Sequence, residues 1–214
     1  MSAIEIECGE TIGPGALAQS AGEFARGEIA AGAPTLGILV YDDGLEADRL
    51  LADSARVLAR SGFRLGGVVQ FNTHRPGRRK CAMHLTDLAS GEEISISQDL
   101  GDESSGCRLD PAALVQAGLG VERALESGVE LLIVNRFGKQ EAQGGGLRSV
   151  IAEALLSGVP VVLGVSRLNL EACLDFAGGP VARLAPESNA IVAWCLTSVR
   201  RASGHDGAIN ETTA

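Results

Sequence analysis

The chain of 214 residues carries a formal net charge of −9, and 45% of its residues are hydrophobic while 21% are charged. This length and composition are typical of one packed domain, and the negative charge argues against general binding to nucleic acid, whose phosphates it would repel. The sequence holds no run of about 20 apolar residues and no basic-then-apolar leader, so we expect a cytoplasmic protein that does not cross a membrane.

The order of apolar and polar residues divides the chain into three parts. Residues 1–34 are rich in glycine and alanine and predict an N-terminal appendage, whereas residues 200–214 are polar and predict a flexible tail. Between them, residues 35–199 alternate strand-like apolar runs with segments of helical periodicity. We therefore predict a single α/β domain with a mainly parallel sheet, helices on both of its faces and an inserted β-hairpin.

The predicted elements begin with a strand at residues 36–41 and a helix at 45–60, for which Asp43 is placed as the N-cap. Asp110 is placed in the same way before a helix whose first position is Pro111. The other predicted elements are a strand at 65–71, hairpin strands at 81–88 and 93–97, a strand at 129–134, a helix at 147–156 and a strand at 159–165.

Cysteine and histidine residues give no strong sign of a metal site or a nucleophile. The five cysteines, at positions 8, 81, 107, 173 and 195, include no Cys-x-x-Cys pair, and in a cytoplasmic protein we expect reduced thiols. Cys81 and Met83 fall on one face of a predicted strand and His84 on the other, so we expect no metal there. Cys107 has no histidine near it in the sequence and is interpreted as structural.

The segment after the strand at 129–134 is the most informative candidate site. Loops at the carboxyl ends of parallel strands converge, and helix N-termini there expose N–H groups that attract anions. Three consecutive glycines let the backbone approach a ligand closely, and cationic side chains surround them. The alternative is a flexible loop with its arginines in solvent. The residues expected to bind an oxyanion here are Asn135, Arg136, Lys139, Gly144, Gly145, Gly146 and Arg148.

Two further loops border the same predicted edge of the sheet. Ser105, Gly106 and Arg108 offer a hydroxyl, a permissive backbone and a guanidinium that could close the same pocket. The basic run 74–80 is interpreted as a solvated loop, with a lid over an anionic ligand as the alternative. After the first strand, where a phosphate-binding loop would end in Gly-Lys-Ser/Thr, the chain has Asp42 and Asp43, which favour helix capping and solvation.

Four runs of the sequence together resemble an uncharacterised bacterial family whose genes often neighbour molybdate transporters. The resemblance extends over about residues 35–179, and its more specific runs are Gly-Cys-Arg-Leu-Asp at 106–110 and Phe-Gly-Lys-Gln-Glu at 137–141. The other two runs are Gly-Gly-Val-Val-Gln at 66–70 and Cys-Ala-Met-His-Leu-Thr-Asp-Leu at 81–88. This resemblance implies a role connected with molybdenum.

More distantly, the order of elements is similar to that of thermophile-type nucleoside triphosphatases, whose signature strand ends Asp-Glu-x-Gly-Lys-x-Glu. The half from Gly138 to Glu141 matches, whereas Asn135 and Arg136 stand in place of the acidic pair that would hold magnesium. The phosphate loop also lacks its lysine. The resemblance therefore implies a P-loop-like topology without ordinary ATP hydrolysis.

Three functions follow as hypotheses. The first is a non-enzymatic binder of a small oxyanion, molybdate or tungstate, in molybdenum homeostasis. The second is a divergent nucleoside triphosphatase that would hold a magnesium nucleotide through Asp42, Asp43 and Glu141, with the basic loop on the phosphates. The third is a protein-interaction module that acts through the hairpin or a sheet edge. We expect a small anionic partner, no nucleic-acid partner, and leave open a homodimer or higher homo-oligomer.

Overall fold

The computed structural model of the chain describes residues 33–74, 81–98 and 109–204. They form one seven-stranded sheet with helices on both faces. The strands are β1 (Leu36–Tyr41), β2 (Leu65–Thr73), β3 (Ala82–Asp87), β4 (Glu93–Ser95), β5 (Leu131–Phe137), β6 (Val161–Ser166) and β7 (Val181–Arg183). The helices are α1 (Gly44–Arg60), α2 (Pro111–Glu126), α3 (Lys139–Ala142), α4 (Arg148–Leu156), α5 (Leu170–Ala177) and α6 (Ser188–Ala202), with a 3-10 turn at Arg167–Asn169.

The strand order across the sheet is β4-β3-β2-β5-β6-β1-β7. The five strands from β2 to β7 in this order run parallel, and β3 and β4 form an antiparallel hairpin on the outer side of β2. The predicted α/β class, with a mainly parallel sheet and an inserted hairpin, is confirmed. The arrangement is consistent with a P-loop-like α/β fold.

The two faces of the sheet are buried by different helices, because the central strands are apolar on both sides. Helices α1 and α6 cover one face with side chains such as Leu51, Leu58 and Ile191, all fully buried. Helices α2, α4 and α5 cover the other, where Val121 and Ile151 are fully buried. No helix of the described residues is long and apolar enough to cross a membrane.

The connections diverge at the carboxyl edge, the edge at which β1, β2, β5 and β6 end. The chain leaves β1 through α1 on one face, and it leaves the neighbouring strand β6 through α5 on the opposite face. A crevice opens between two such strands, and ligands of open α/β sheets are commonly bound there. The fold therefore makes the carboxyl edge the first place to look for a site.

The capping signals in the sequence are confirmed. Asp43 Oδ1 accepts a hydrogen bond from the N–H of Leu45 at 2.8 Å at the start of α1. Asp110 Oδ1 accepts from the N–H groups of Ala112 and Ala113 at 2.9 and 3.3 Å, one residue before Pro111 begins α2. The described helices α3, α5 and α6 and strand β7 were not predicted, and α6 runs to Ala202, past residue 199.

The expectation that the cysteines are reduced is wrong for Cys81. Cys173 and Cys195 are free and buried, but Cys81, just before β3, is disulfide-bonded. An odd number of cysteines leaves at least one thiol unpaired without preventing the others from pairing, because pairing depends on distance in the fold and not on spacing in the sequence. Cys8 and Cys107 lie outside the described residues.

Candidate functional site

A buried ion pair lies at the carboxyl edge between α1 and β5. Asp48, in α1, is 5% exposed, and its carboxylate accepts hydrogen bonds from Arg136 Nε at 3.3 Å and from Nη2 at 2.9 and 2.8 Å. Asn135 Nδ2 donates to the same carboxylate at 2.7 Å. Two of the predicted oxyanion ligands, Asn135 and Arg136, are therefore engaged with a carboxylate of the protein itself.

Glycine at two positions lets α1 approach the sheet closely enough for this pair. A Cβ atom at Gly164 of β6 would lie 3.1 Å from Leu51 Cδ1 of α1 and 2.2 Å from the backbone oxygen of Asn135, and one at Gly44 would lie 3.0 Å from Arg136 Nη2. Any larger residue would push apart the groups that meet here. The guanidinium of Arg136 consequently occupies the space beside the first turn of α1.

Burial controls the electrostatics of this cluster. Removal from water raises the pKa of Asp48 above its ordinary range, although the nearby charge and hydrogen bonds of Arg136 act in the opposite direction. Burial likewise raises the pKa of Tyr41, whose ring centre lies 5.9 Å from the guanidinium carbon of Arg136. Asn135 Oδ1 is buried and has no hydrogen-bond partner among the described residues. The cluster is thus paired in charge but not fully satisfied in hydrogen bonds.

A second carboxylate, that of Glu141, accepts hydrogen bonds from backbone N–H groups after β5. Its Oε2 accepts from the N–H of Gly138 at 2.8 Å, and its Oε1 accepts from the N–H of Leu147 at 3.0 Å. Glu141 is 4% exposed, and Gly146 faces it so closely that a Cβ there would lie 2.0 Å from Oε1. The glycine-rich turn therefore does surround negatively charged oxygens, and those oxygens belong to the protein.

The other predicted ligands of this segment differ in how accessible they are. Lys139 is exposed, as are Gly144 and Gly145. Arg148 is partly buried: Nη1 donates to the backbone oxygen of Glu141 at 3.1 Å, and the guanidinium carbon stacks 4.4 Å from the ring centre of Phe176. The structure thus brings Lys139, Arg148 and the triple glycine into one region, with Glu141 at its centre.

The third predicted loop lies outside the described residues. Its predicted ligands are Ser105, Gly106 and Arg108. Leu109, the residue that follows this loop, forms an isolated antiparallel bridge with Ser97 just beyond β4. Since β4 runs in the same direction as β2, this bridge lies toward the carboxyl edge.

The crevice at β1 and β6 forms a cavity of about 290 Å³, and carboxylates dominate its charged lining. Asp42, Asp43 and Glu46 line it, together with Arg167, which pairs with Asp42 at 2.6 Å on the exposed surface. Only two residues connect β1 to α1, so the described chain has no loop here that could wrap around phosphates. This half of the edge would repel an anion.

The sequence did not reveal the two carboxylates that organise this edge. Asp48 lies 87 positions from Asn135 and falls on a helix as an ordinary polar residue, so nothing local marks its contact. Glu141 could have been found, because a glutamate three residues after a helix N-cap often folds back onto the backbone N–H of the cap, as it does at Gly138.

Comparison with known proteins connects this edge to a family. The profile of the family described as "Protein of unknown function (DUF2478)" matches residues 36–194, which run from β1 into α6. The chain belongs to this family. The DUF2478 match includes the whole of the described sheet and both carboxylate-centred clusters of the carboxyl edge.

A curated relative has a more informative name. The chain is 40% identical over 156 residues to the Molybdenum import ATP-binding protein ModC 2 of Bradyrhizobium diazoefficiens. The matched region is 73% of this DUF2478 chain and 17% of the relative, so the chain spans less than a fifth of that protein's length. No solved structure matches the chain significantly.

Proposed function

We propose that this chain is a non-catalytic binder of a small oxyanion, molybdate or tungstate, in molybdenum homeostasis. The similarity to a protein named for molybdenum import supports the connection with molybdenum. The observation that carries the choice of ligand class is the turn after β5, whose N–H groups at Gly138 and Leu147 already hold the two oxygens of the Glu141 carboxylate. Backbone N–H groups that point into one turn carry partial positive charge, so they favour a bound oxyanion as they favour this carboxylate.

The distribution of charge along the carboxyl edge favours one half of it for this ligand. Asp42, Asp43 and Glu46 lie around the β1 crevice, whereas Lys139 and Arg148 lie after β5. A dianion is therefore expected at the β5 half, against these two cations. In the proposal, Ser105, Gly106 and Arg108 approach it from the loop that ends at Leu109.

The absence of catalysis is proposed from the connection between β1 and α1. A phosphate-binding loop needs about eight residues including a lysine, and this connection consists of Asp42 and Asp43 alone. At the end of β5, Asn135 and Arg136 bind Asp48, and they offer no carboxylate for magnesium. These features favour binding over hydrolysis.

Calorimetric titration with molybdate, tungstate, sulfate and phosphate tests the proposal. We expect the first two to bind, and Lys139→Ala and Arg108→Ala to weaken binding about tenfold or more, since each removes a charge-assisted hydrogen bond. Arg167→Ala is the matched control, because Arg167 is an exposed arginine on the acidic half of the same edge. Absence of heat with all four anions, or equal effects of the control and the test variants, would reject the proposal.

Nucleotide binding is the second candidate, favoured by the P-loop-like strand order and by the words "ATP-binding" in the name of the relative. It would use Asp42, Asp43 and Glu141 for magnesium, although Glu141 is held by two backbone N–H groups. Phosphate release from ATP and GTP with magnesium separates the two functions. Turnover that is lost in Asp43→Ala would establish the enzyme and overturn the non-catalytic binder.

A further inference from the structure

A second cavity lies at the amino edge of the sheet, the edge opposite to the proposed oxyanion site. Its volume is about 510 Å³, within the range of sites that bind small organic molecules. The walls come from the start of β2, the turn between β3 and β4, and the second half of α2. Phe63, Leu65, Leu88, Ile94 and Val129 give it apolar surface, so it could hold a hydrophobic group.

A nearly buried carboxylate faces this cavity with one oxygen unused. Asp87 is 4% exposed, and its Oδ1 accepts from the N–H groups of Ala89 and Ser90, both at 2.9 Å, which fixes the turn after β3. No hydrogen bond or ion pair from the described residues reaches Oδ2. The turn after β3 therefore uses only Oδ1 of Asp87. Oδ2 has no partner among the described residues, and Asp87 lines the cavity.

A glycine on α2 lets the helix backbone pack closely beside that oxygen. A Cβ atom at Gly120 would lie 2.6 Å from Asp87 Oδ2, which is a clash, so any other residue would displace the carboxylate from its position at the cavity. The same position is 4.0 Å from Arg123 Nη2, and within the described residues the Arg123 guanidinium also has no hydrogen-bond partner. An unused acceptor and an unused cationic donor thus border the same small space.

We propose that this cavity binds a small zwitterion of the α-amino acid type with an apolar side chain. The ammonium group donates to Asp87 Oδ2, the carboxylate lies toward Arg123, and the side chain contacts the apolar wall around Phe63 and Val129. A buried carboxylate with a free oxygen prefers a cationic donor, because its charge is poorly solvated. This site is separate from the oxyanion site, so the failure of either proposal leaves the other standing.

The ligand class is tested with three compounds that share one apolar body. L-leucine carries both charges, 3-methylbutylamine carries the ammonium alone, and 4-methylpentanoate carries the carboxylate alone. Isothermal titration or saturation-transfer NMR on the full chain should show binding of leucine that is at least about tenfold stronger than that of either analogue, since each analogue loses one charge-assisted contact. No binding of leucine, or equal binding of either analogue, overturns the proposal.

Variants identify the cavity as the place of binding. Asp87→Asn keeps the oxygen that fixes the turn and removes the charge, and Gly120→Ala pushes Oδ2 out of its position; each should weaken leucine binding about tenfold or more. Gly118→Ala is the control on the same helix, because its Cβ would make only an ordinary 3.5 Å contact with Leu147. Arg123→Ala, at an exposed position, covers the case in which Asp87→Asn fails to fold. Unchanged leucine binding in Gly120→Ala and Arg123→Ala contradicts the assignment.

Discussion

Arg136 binds both carboxylate oxygens of Asp48 through one nitrogen, with Nη2 at 2.9 Å from Oδ1 and 2.8 Å from Oδ2. The carboxylate is almost completely enclosed, with a side-chain exposure of 7%, whereas the arginine side chain is 37% exposed. The two partners are therefore unequal: loss of the arginine would leave a buried charge, but loss of the aspartate would leave a cation that can turn toward water. Because the two side chains differ in burial, variants of Arg136 and of Asp48 should change the free energy of unfolding by different amounts.

We expect Arg136→Ala to destabilise the protein by roughly 2–4 kcal/mol at neutral pH, because it leaves Asp48 as an unpaired buried charge. Urea denaturation followed by circular dichroism measures the free energy of unfolding. The control is Arg167→Ala, which breaks a pair whose side chains are both 70% exposed and should change stability by less than about 0.5 kcal/mol. Similar losses in the two variants would contradict the structural role of Asp48.

The stability of the wild type relative to Asp48→Asn should fall as the pH rises. The folded-state pKa of Asp48 is raised by burial, so between the unfolded and folded pKa values the folded chain binds the proton more tightly. The stabilisation that comes from Asp48 protonation is complete below the pKa of the unfolded state. It is lost as the pH rises through the pKa of the folded state. Urea denaturation of both proteins from about pH 3.5 upward measures the difference, and a constant difference would exclude a raised pKa.

The same measurement on Arg136→Ala gives an independent prediction. The Arg136 charge lowers the pKa of Asp48, so its removal should raise that pKa further. The destabilisation caused by Arg136→Ala should therefore be smallest at acidic pH, where Asp48 is protonated, and should increase toward neutral pH. A loss that is the same at both ends of the pH range would show that Arg136 acts through packing alone.

Gly146→Ala should destabilise the protein by about 2–4 kcal/mol, more than Gly144→Ala. Both glycines have positive φ, +58° and +90°, so both substitutions bring backbone strain of about 1 kcal/mol. A Cβ at Gly146 also meets Glu141 Oε1 at 2.0 Å, whereas at Gly144 nothing lies within 4 Å. Thermal and urea unfolding of the two variants measure the difference, which reports the contact with Glu141.

A double variant checks this explanation. Once Glu141→Ala has removed the carboxylate, Gly146→Ala should cost much less, because only the backbone strain of about 1 kcal/mol and a 3.1 Å contact with Gln140 Cβ remain. Additive losses would mean that Gly146 acts independently of Glu141. Under the proposed function, Glu141→Ala also releases the N–H groups of Gly138 and Leu147, so the variant should bind molybdate more tightly than the wild type.

Cys173 and Cys195, the free cysteines of the part of the chain that the structure describes, should not react in the native protein. Burial raises the pKa of Cys173 to about 11 and that of Cys195 to about 12, so the nucleophilic thiolate is scarce at pH 8, and neither side chain reaches solvent. Iodoacetamide labelling with peptide mass spectrometry should modify both residues in urea and neither in buffer. Rapid native labelling of Cys173 would indicate that α5 opens frequently.

Much of the fold could be predicted because its central strands are short and continuously apolar. Residues 36–41 were predicted as a strand and form β1, and the Asp-Pro pair at 110–111 identified the start of α2. Strand β7 could not be found in this way: it has three residues, is partly exposed, and pairs in the sheet with β1 alone among the described strands. Strand β5 extends to Phe137, which pairs with Val165 of β6 beyond an irregularity at Asn135 and Arg136 that the sequence does not show.

The predicted ligands after β5 lie at the carboxyl edge of the sheet, and their binding of an oxyanion stays a prediction. The sequence shows the donors Arg136, Lys139 and Arg148 and the triple glycine, since these residues are consecutive or nearly so. It does not show that Asp48 accepts from Arg136 or that Glu141 accepts from the N–H groups of Gly138 and Leu147, because side-chain direction and distance belong to the tertiary structure. The division into an appendage, a domain at 35–199 and a tail stays a prediction.

The two-residue connection between β1 and α1 limits how this fold could be converted to other chemistry. Substituting lysine for Asp43 would supply the charge that triphosphates need, yet no length of main chain would be there to enclose them, and the helix would lose its cap. An engineered nucleotide site would require a transplanted loop of about eight residues together with removal of the guanidinium beside Gly44. Single substitutions are therefore a poor route, and loop grafting is the relevant design experiment.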